Sequence, residues 1–192
     1  MMKYRLLTIL LVCCMLAARG QKASLWRQTW VPDTSVNGSL KLLDPASIRE
    51  KLGDQHGKLI EDEGPDRIQL ANRSRTEYLI LYHSNGSNAN AFSEFEIGIF
   101  PAGGASFRAT TFLTFRSRSS IPLGMRLDSF VAIRGKADTI YVNSGCKVLH
   151  YETEDVHFGQ GILRRYNMPY YEESYYFRQG RLVKFLFGFP NP

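Results

Sequence analysis

The stretch KFLFGFP at Lys184 to Pro190 has a counterpart earlier in the chain, FEIGIFP at Phe95 to Pro101. Each stretch closes a region rich in aromatic and β-branched residues, which is typical of β-strands. A short helical pattern that ends in Gly comes before each region, at residues 44–53 and again at residues 127–135. This order predicts an α+β fold with two related units, each a short helix or helical pair packed on an antiparallel β-sheet.

The first helix is predicted from its end signals. Asp44 can cap its start, Pro45 suits the first helical position, and Gly53 suits its end. Ile48 and Leu52 stand four residues apart, which places both on one side of a helix. The sequence therefore predicts a short amphipathic helix that covers one face of a sheet.

The predicted strands follow each helix. They cover residues 67–71, 77–83, 92–100 and 110–115 in the first unit, and residues 139–142, 147–152, 173–178 and 182–188 in the second. Gln179-Gly180 predicts a hairpin turn between the last two strands. The first unit is assigned to residues 40–116 and the second to residues 121–192, because the Ser/Arg-rich segment between them is typical of a linker.

The N-terminus predicts export. Lys3 and Arg5 precede an apolar run from Leu6 to Ala18 that is short for a membrane span, and this is the pattern of a secretory signal peptide over residues 1–20. Residues 21–39 are interpreted as a leader or linker. A retained membrane anchor is an alternative, and lipidation at Cys13 or Cys14 is another. The expected location is periplasmic, envelope-associated or secreted.

Charge and cysteine content exclude some classes of function. Cleavage after residue 20 removes three cations and no acids, which lowers the formal net charge from +6 to +3. No basic arm or basic helix is present, so the pattern does not favour nucleic-acid binding. Cys146 would be the one cysteine of the mature chain, so an intramolecular disulfide would not form.

Two stretches carry a family resemblance, IPLGMRLDSFVAIRG at Ile121 to Gly135 and YYFRQGRLVKFLFGF at Tyr175 to Phe189. The first resembles the Gly, short helix, Gly opening of the beta-lactamase-inhibitor-protein-like (BLIP-like) fold, which small outer-membrane-assembly lipoproteins of the SmpA/OmlA type share. The second resembles the terminal hairpin of that fold. The resemblance implies a helical layer on an antiparallel sheet, in a tandem arrangement, used for contact between proteins and not for catalysis. The chain departs from the inhibitor in lacking cysteine pairs.

An aromatic cluster late in the chain is the predicted binding surface, and its members are Tyr166, Tyr170, Tyr171, Tyr175, Tyr176 and Phe177. Tyrosine combines a large contact area with few rotatable bonds and a polar tip. Alternation along a strand predicts that about half of the cluster faces the core. Pro169 favours a loop for the residues beside it. The predicted contacts to a protein or cell-envelope partner are Tyr166, Tyr170, Tyr171, Arg164 and Arg165.

A second hypothesis concerns HYETEDVH at His150 to His157. If the strand continues, His150, Glu152 and Glu154 project from one face, and a turn could bring in His157. Imidazole and carboxylate groups bind zinc and other divalent cations, but this spacing is not a recognised metal motif, and acidic strand ends usually face solvent.

No nucleophile elbow, zinc-protease pair or phosphate loop is present, and no cofactor is predicted. The sequence therefore predicts an exported, non-catalytic binding module. The alternative is a secreted metal-dependent or other hydrolytic enzyme.

Overall fold

The computed structural model describes residues 30–55, 58–61, 65–83, 90–101, 106–154 and 161–190. The predicted signal peptide and residues 21–29 of the predicted leader lie outside the described residues, whereas residues 30–39 of the leader are described. The elements in chain order are β1 (Ser35–Val36), β2 (Leu40–Lys41), α1 (Pro45–Leu52), β3 (Arg67–Ala71), β4 (Glu77–His83), β5 (Phe92–Ile99), β6 (Arg108–Ala109), α2 (Leu127–Arg134), β7 (Thr139–Asn143), β8 (Cys146–Glu154), α3 (Ile162–Tyr166), β9 (Tyr170–Arg178) and β10 (Arg181–Gly188).

Strands β3 to β10 form one eight-stranded sheet in the order β6-β3-β4-β5-β10-β9-β8-β7. The neighbours in this sheet are antiparallel, except that β6 pairs with β3 in parallel. Strands β1 and β2 form a separate two-stranded sheet. A mostly β core with a few short helices confirms the α+β class.

The two similar stretches of the sequence pair with each other at the centre of the sheet. In the antiparallel register of β10 with β5, Phe185 lies opposite Ile97 and Phe187 lies opposite Phe95. The strands of the two predicted units therefore occupy the two halves of one continuous sheet. That the halves are related repeats stays a prediction.

Local signals place both predicted helices correctly. The Asp44 side chain caps α1 by accepting hydrogen bonds from the backbone N–H groups of Ala46 at 3.1 Å and Ser47 at 3.2 Å. Gly53 ends α1 with a φ of 78°, and Gly135 ends α2 with a φ of 82°. Glycine adopts this conformation without the strain that a side chain adds, so it ends both helices.

The predicted strand at residues 110–115 is wrong. The Thr110 N–H still donates to the Ala71 carbonyl at the end of β3, but the backbone beyond it binds loop and side-chain atoms. The carbonyl of Phe112 accepts from the Arg73 N–H at 2.7 Å, and the Phe115 N–H donates to a Glu77 carboxylate oxygen at 2.6 Å. Only the two residues of β6 extend the sheet at this edge.

The two faces of the sheet differ. The covered face carries mainly buried apolar side chains, and α2 packs on it through Phe130, whose ring centroid lies 4.5 Å from that of Tyr175 and 5.2 Å from that of Phe177. Side chains alternate between faces along each strand. The residues between the buried ones therefore point to the opposite side, which is called the open face here.

Candidate functional site

The open face carries tyrosines and carboxylates in the middle of the sheet. Most of these large polar side chains are half-buried. The described ring contacts of α2 and α3 are with covered-face residues or with Phe189, so these helices leave the open face to solvent or a partner. Its members include Tyr78, Ile80, Tyr82, Glu94, Glu96, His150, Glu152, Tyr170, Glu172, Ser174, Tyr176, Lys184 and Leu186.

A glycine lies between two of these carboxylates. Gly188 pairs with Glu94 on one side and with Glu172 on the other, and Glu172 pairs in turn with Glu152. Because Gly188 has no side chain, the strand position between Glu94 and Glu172 places no side chain between their carboxylates. Burial, together with the charges of Glu172 and Glu96, raises the pKa of Glu94 to about 7. Glu94 therefore changes charge near neutral pH.

This raised pKa predicts how stability depends on pH. The folded protein keeps a proton on Glu94 that the unfolded chain releases, so stability is lost as pH rises from 4.5 to about 7. Replacing Glu94 with Gln should remove this loss and stabilise the protein at pH 8 by about 1–2 kcal/mol. This free energy is smaller than the full pKa shift implies, because solvent screens the charge of a partly exposed group. Urea unfolding at pH 5 and pH 8 measures the difference. The exposed substitution Glu61→Gln is the control. An unchanged pH dependence in Glu94→Gln would contradict the assignment.

Glu96 is the most heavily contacted carboxylate of the open face. The Tyr78 hydroxyl donates to it at 2.6 Å and the Tyr82 hydroxyl at 3.4 Å. The Lys184 ammonium lies 3.4 Å from the same carboxylate and 4.2 Å from the centroid of the Tyr176 ring. Carboxylate and ring together hold the cation, because both attract positive charge.

A groove lies beside Glu96 at one end of the open face. Its volume is about 570 Å³, and Tyr78, Ile80, Phe100, Phe107 and Tyr176 contribute to its wall. The Phe107 ring packs 5.6 Å from that of Tyr78 and 5.3 Å from that of Phe100. The groove therefore offers aromatic contact area next to a charged carboxylate.

The structure brings two of the predicted metal ligands together. The His150 Nε2 atom lies 3.5 Å from the Glu152 carboxylate and 3.9 Å from that of Glu172, while Nδ1 lies 2.9 Å from the Ser174 hydroxyl. Among the described residues no group of three His, Cys, Asp or Glu side chains is arranged to hold a metal.

The positions of the other two predicted metal ligands, the side chains of Glu154 and His157, are not described. Glu154 ends β8 opposite Tyr170, but its side chain is not described, and His157 lies outside the described residues. A metal site at His150 to His157 stays a prediction.

Tyr170 and Tyr171 lie in a strand, so the expectation of a loop is wrong. Pro169 only precedes β9, where its missing N–H costs no ladder hydrogen bond. The Tyr170 hydroxyl donates to Glu152 at 2.9 Å and to Glu172 at 3.2 Å on the open face. Tyr171 points to the covered face and is fully buried, so its side chain is not accessible to a partner.

The remaining predicted contacts lie around α3. Arg164 and Arg165 are exposed, and Tyr166 is half-buried with its ring 5.1 Å from that of Phe189. Phe189 also packs against Tyr171, at 5.4 Å. Tyr166 therefore belongs with the covered face, and the five predicted residues do not form one surface. Binding by Tyr166, Arg164 and Arg165 stays a prediction.

A second polar cluster is buried under the covered face. The Arg134 guanidinium contacts the Glu173 carboxylate and lies 3.5 Å from that of Asp33. The hydroxyls of Tyr171 and Tyr175 each donate to Glu173 at 2.8 Å. Burial raises the pKa of Glu173, and the charge of Arg134 opposes this effect. Because Arg134 is only 4% exposed and the two acids are fully buried, the cluster has a structural role.

Glu94 and Glu96 are not among the predicted site residues, although the sequence carries a signal for them. In Phe92 to Ile99 the two glutamates alternate with apolar residues, which predicts one polar face of a strand. This alternation does not indicate which strands lie beside it. The local sequence therefore does not predict that Glu94 and Glu172 lie close together.

Comparison with known protein families, with curated proteins and with solved structures finds no match to this chain. The resemblance to the BLIP-like fold consequently remains a hypothesis. In the part of the chain that the structure describes, no helix has the length and apolar character needed to cross a membrane.

Proposed function

We propose that the protein is an exported, non-catalytic binding module that holds a basic polypeptide segment of a protein or cell-envelope partner on its open face. The observation that carries this proposal is the contrast between the two faces of the sheet. One face is buried under α2 and neighbouring segments, whereas the other presents half-buried carboxylates and tyrosines.

The charge of the open face favours a cationic partner. On the described parts of β5, β8, β9 and β10 it carries the carboxylates of Glu94, Glu96, Glu152 and Glu172. The lysine and arginine residues on the same side of these strands are Lys184, which lies beside Glu96, and Arg178 and Arg181, which lie at the hairpin end of β9 and β10, away from Glu152 and Glu172. Carboxylates in excess of cations attract lysine and arginine side chains and repel acidic ones.

Lys184 is an internal example of how such a side chain would be held. Its ammonium lies between the Glu96 carboxylate and the Tyr176 ring. Tyr170 and Glu172 offer a similar combination of ring and carboxylate nearby, with the Tyr170 hydroxyl 3.2 Å from the Glu172 carboxylate. The aromatic groove beside Glu96 would accept the apolar stem of a lysine or arginine.

Fluorescence anisotropy with a labelled peptide of alternating lysine and serine tests this proposal on the protein recovered after export. We expect salt-sensitive binding that falls about tenfold or more in Glu96→Gln/Glu172→Gln, which corresponds to at least about 1.4 kcal/mol. The matched control, Glu50→Gln/Asp128→Asn, removes the same charge from exposed positions in α1 and α2 and should bind like the wild type.

Two results would overturn the proposal. One is failure of the wild-type protein to bind the lysine peptide, and the other is equal weakening in both double variants, which would indicate general charge attraction. The enzyme alternative rests on the His150 contacts with Glu152 and Glu172. Stoichiometric zinc binding that is lost in His150→Ala, without binding of the lysine peptide, would support that alternative.

A further inference from the structure

One edge of the eight-stranded sheet is unprotected. The sheet ends at β7, and among the described residues no strand pairs with its outer side. All five residues of β7, Thr-Ile-Tyr-Val-Asn, are exposed, and none is charged or proline. Charges, prolines and very short strands usually protect sheet edges from pairing. The opposite edge, β6, is only two residues long, so β7 is the edge open to pairing.

The side chains of β7 add an apolar surface to this edge. Ile140 is 54% exposed and Val142 is 77% exposed, and both point to the side of the sheet on which α2 packs. Val131 and Ile133 on α2 are also exposed. Of the eight large hydrophobic residues that are exposed in the described chain, five belong to α2 and β7. Exposed apolar surface is therefore concentrated in α2 and β7.

We propose that β7 pairs in an antiparallel manner with β7 of a second copy of this chain, which joins two sheets across a two-fold axis. The sequence of β7 is complementary to itself. When the pairing is centred on Tyr141, Ile140 of one copy lies opposite Val142 of the other. Two apolar β-branched pairs are then buried on the α2 side, and the absence of charge in β7 avoids like-charge repulsion.

This pairing leaves the carboxylates of the proposed peptide-binding face in place, while Asn143 of β7 also lines the aromatic groove beside Glu96. Strand β7 is separated from β10 at the centre of the sheet by β8 and β9. Glu94, Glu96 and Glu172 lie on β5 and β9, so pairing through β7 leaves them accessible. Failure of one proposal would not imply failure of the other.

Sedimentation velocity over a concentration series tests the pairing on the protein recovered after export. We expect a reversible dimer for the wild type and a monomer for Val142→Lys, because the lysine charge would lie in the paired edge. Leu113→Lys is the matched control. Leu113 is apolar and 70% exposed but lies outside β7, so this variant should remain a dimer. Hydrogen exchange should show that β7 amides are protected in the dimer and exchange faster in Val142→Lys.

A wild-type protein that is monomeric at all concentrations would overturn the inference. So would a Val142→Lys variant that remains a dimer, or dissociation of Leu113→Lys to the same extent. Circular dichroism distinguishes loss of pairing from loss of folding, because both substitutions replace exposed side chains and should leave the fold intact.

Discussion

Replacing Arg134 with Met should lower the free energy of unfolding by about 3–5 kcal/mol, because it leaves two buried carboxylates without their cation. Asp33 and Glu173 are both fully buried, and Arg134 is the cation that both of them contact. Methionine fills part of the volume but supplies neither charge nor hydrogen-bond donors. Urea unfolding followed by circular dichroism measures the change.

Arg134 also connects segments that are distant in the chain. Its guanidinium donates to the Val31 carbonyl at 2.7 Å and to the Ser119 hydroxyl at 3.0 Å. Ser119 in turn donates its N–H to Asp33 at 2.7 Å. The substitution therefore removes contacts that hold the segments around residues 31–33 and 119 to α2 and β9. It also leaves the buried carboxylates without a compensating positive charge.

Two further variants separate these effects. Arg126→Met removes an exposed arginine whose guanidinium lies 3.8 Å from Asp128, and it should change stability by less than about 0.5 kcal/mol. Arg134→Met/Glu173→Gln should be more stable than Arg134→Met, because one of the uncompensated charges is absent. A loss below about 1 kcal/mol in Arg134→Met would contradict the role of this cluster.

Gly188→Ala should destabilise the protein by a similar amount, about 3–5 kcal/mol, through crowding and backbone strain combined. A Cβ atom at this position would lie 2.2 Å from the Ser93 carbonyl oxygen and 2.7 Å from the Glu94 Cα. Gly188 also has a φ of 148°, which L side chains rarely adopt. Because β10 is paired on both sides, with β5 and β9, the backbone has little freedom to move away.

Gly180→Ala is the control for Gly188→Ala. Gly180 lies in the turn between β9 and β10 with a φ of 74°, but nothing lies within 4 Å of its added Cβ. This variant carries backbone strain without crowding and should lose about 1 kcal/mol. The same unfolding measurement compares both variants. Equal losses would show that crowding against β5 does not contribute.

The elements with strong local signals could be predicted well. The bounds of β3 and β4 agree with the sequence analysis, because alternating apolar residues and flanking turns are local features. The two ends of α1 are equally local, since Asp44 and Pro45 define its start and Gly53 defines its end. The strand prediction for residues 110–115 was wrong, because the Phe112 carbonyl binds the Arg73 N–H and the Phe115 N–H binds the Glu77 side chain. No local pattern indicates these partners.

The candidate site was predicted less completely. Alternation predicted that about half of the late aromatic cluster faces the core, and Tyr171, Tyr175 and Phe177 are buried, but it did not assign Tyr171 to that half. The loop assignment failed because a proline directly before a strand has the same sequence signal as a proline in a loop. Glu96 was not predicted as a site residue, because its contacts come from Tyr78, Tyr82 and Lys184 on other strands.

Sequence alone therefore established α1, α2, most of the strands and the alternation of polar and apolar side chains, all of which depend on neighbours a few residues apart. Tertiary structure decided that β5 lies beside β10, that Glu94 meets Glu172 across Gly188, and that Asp33, Arg134 and Glu173 share one buried cluster. These contacts join residues far apart in the chain. Their register follows from the packing of the whole sheet, and no local pattern of residues encodes it.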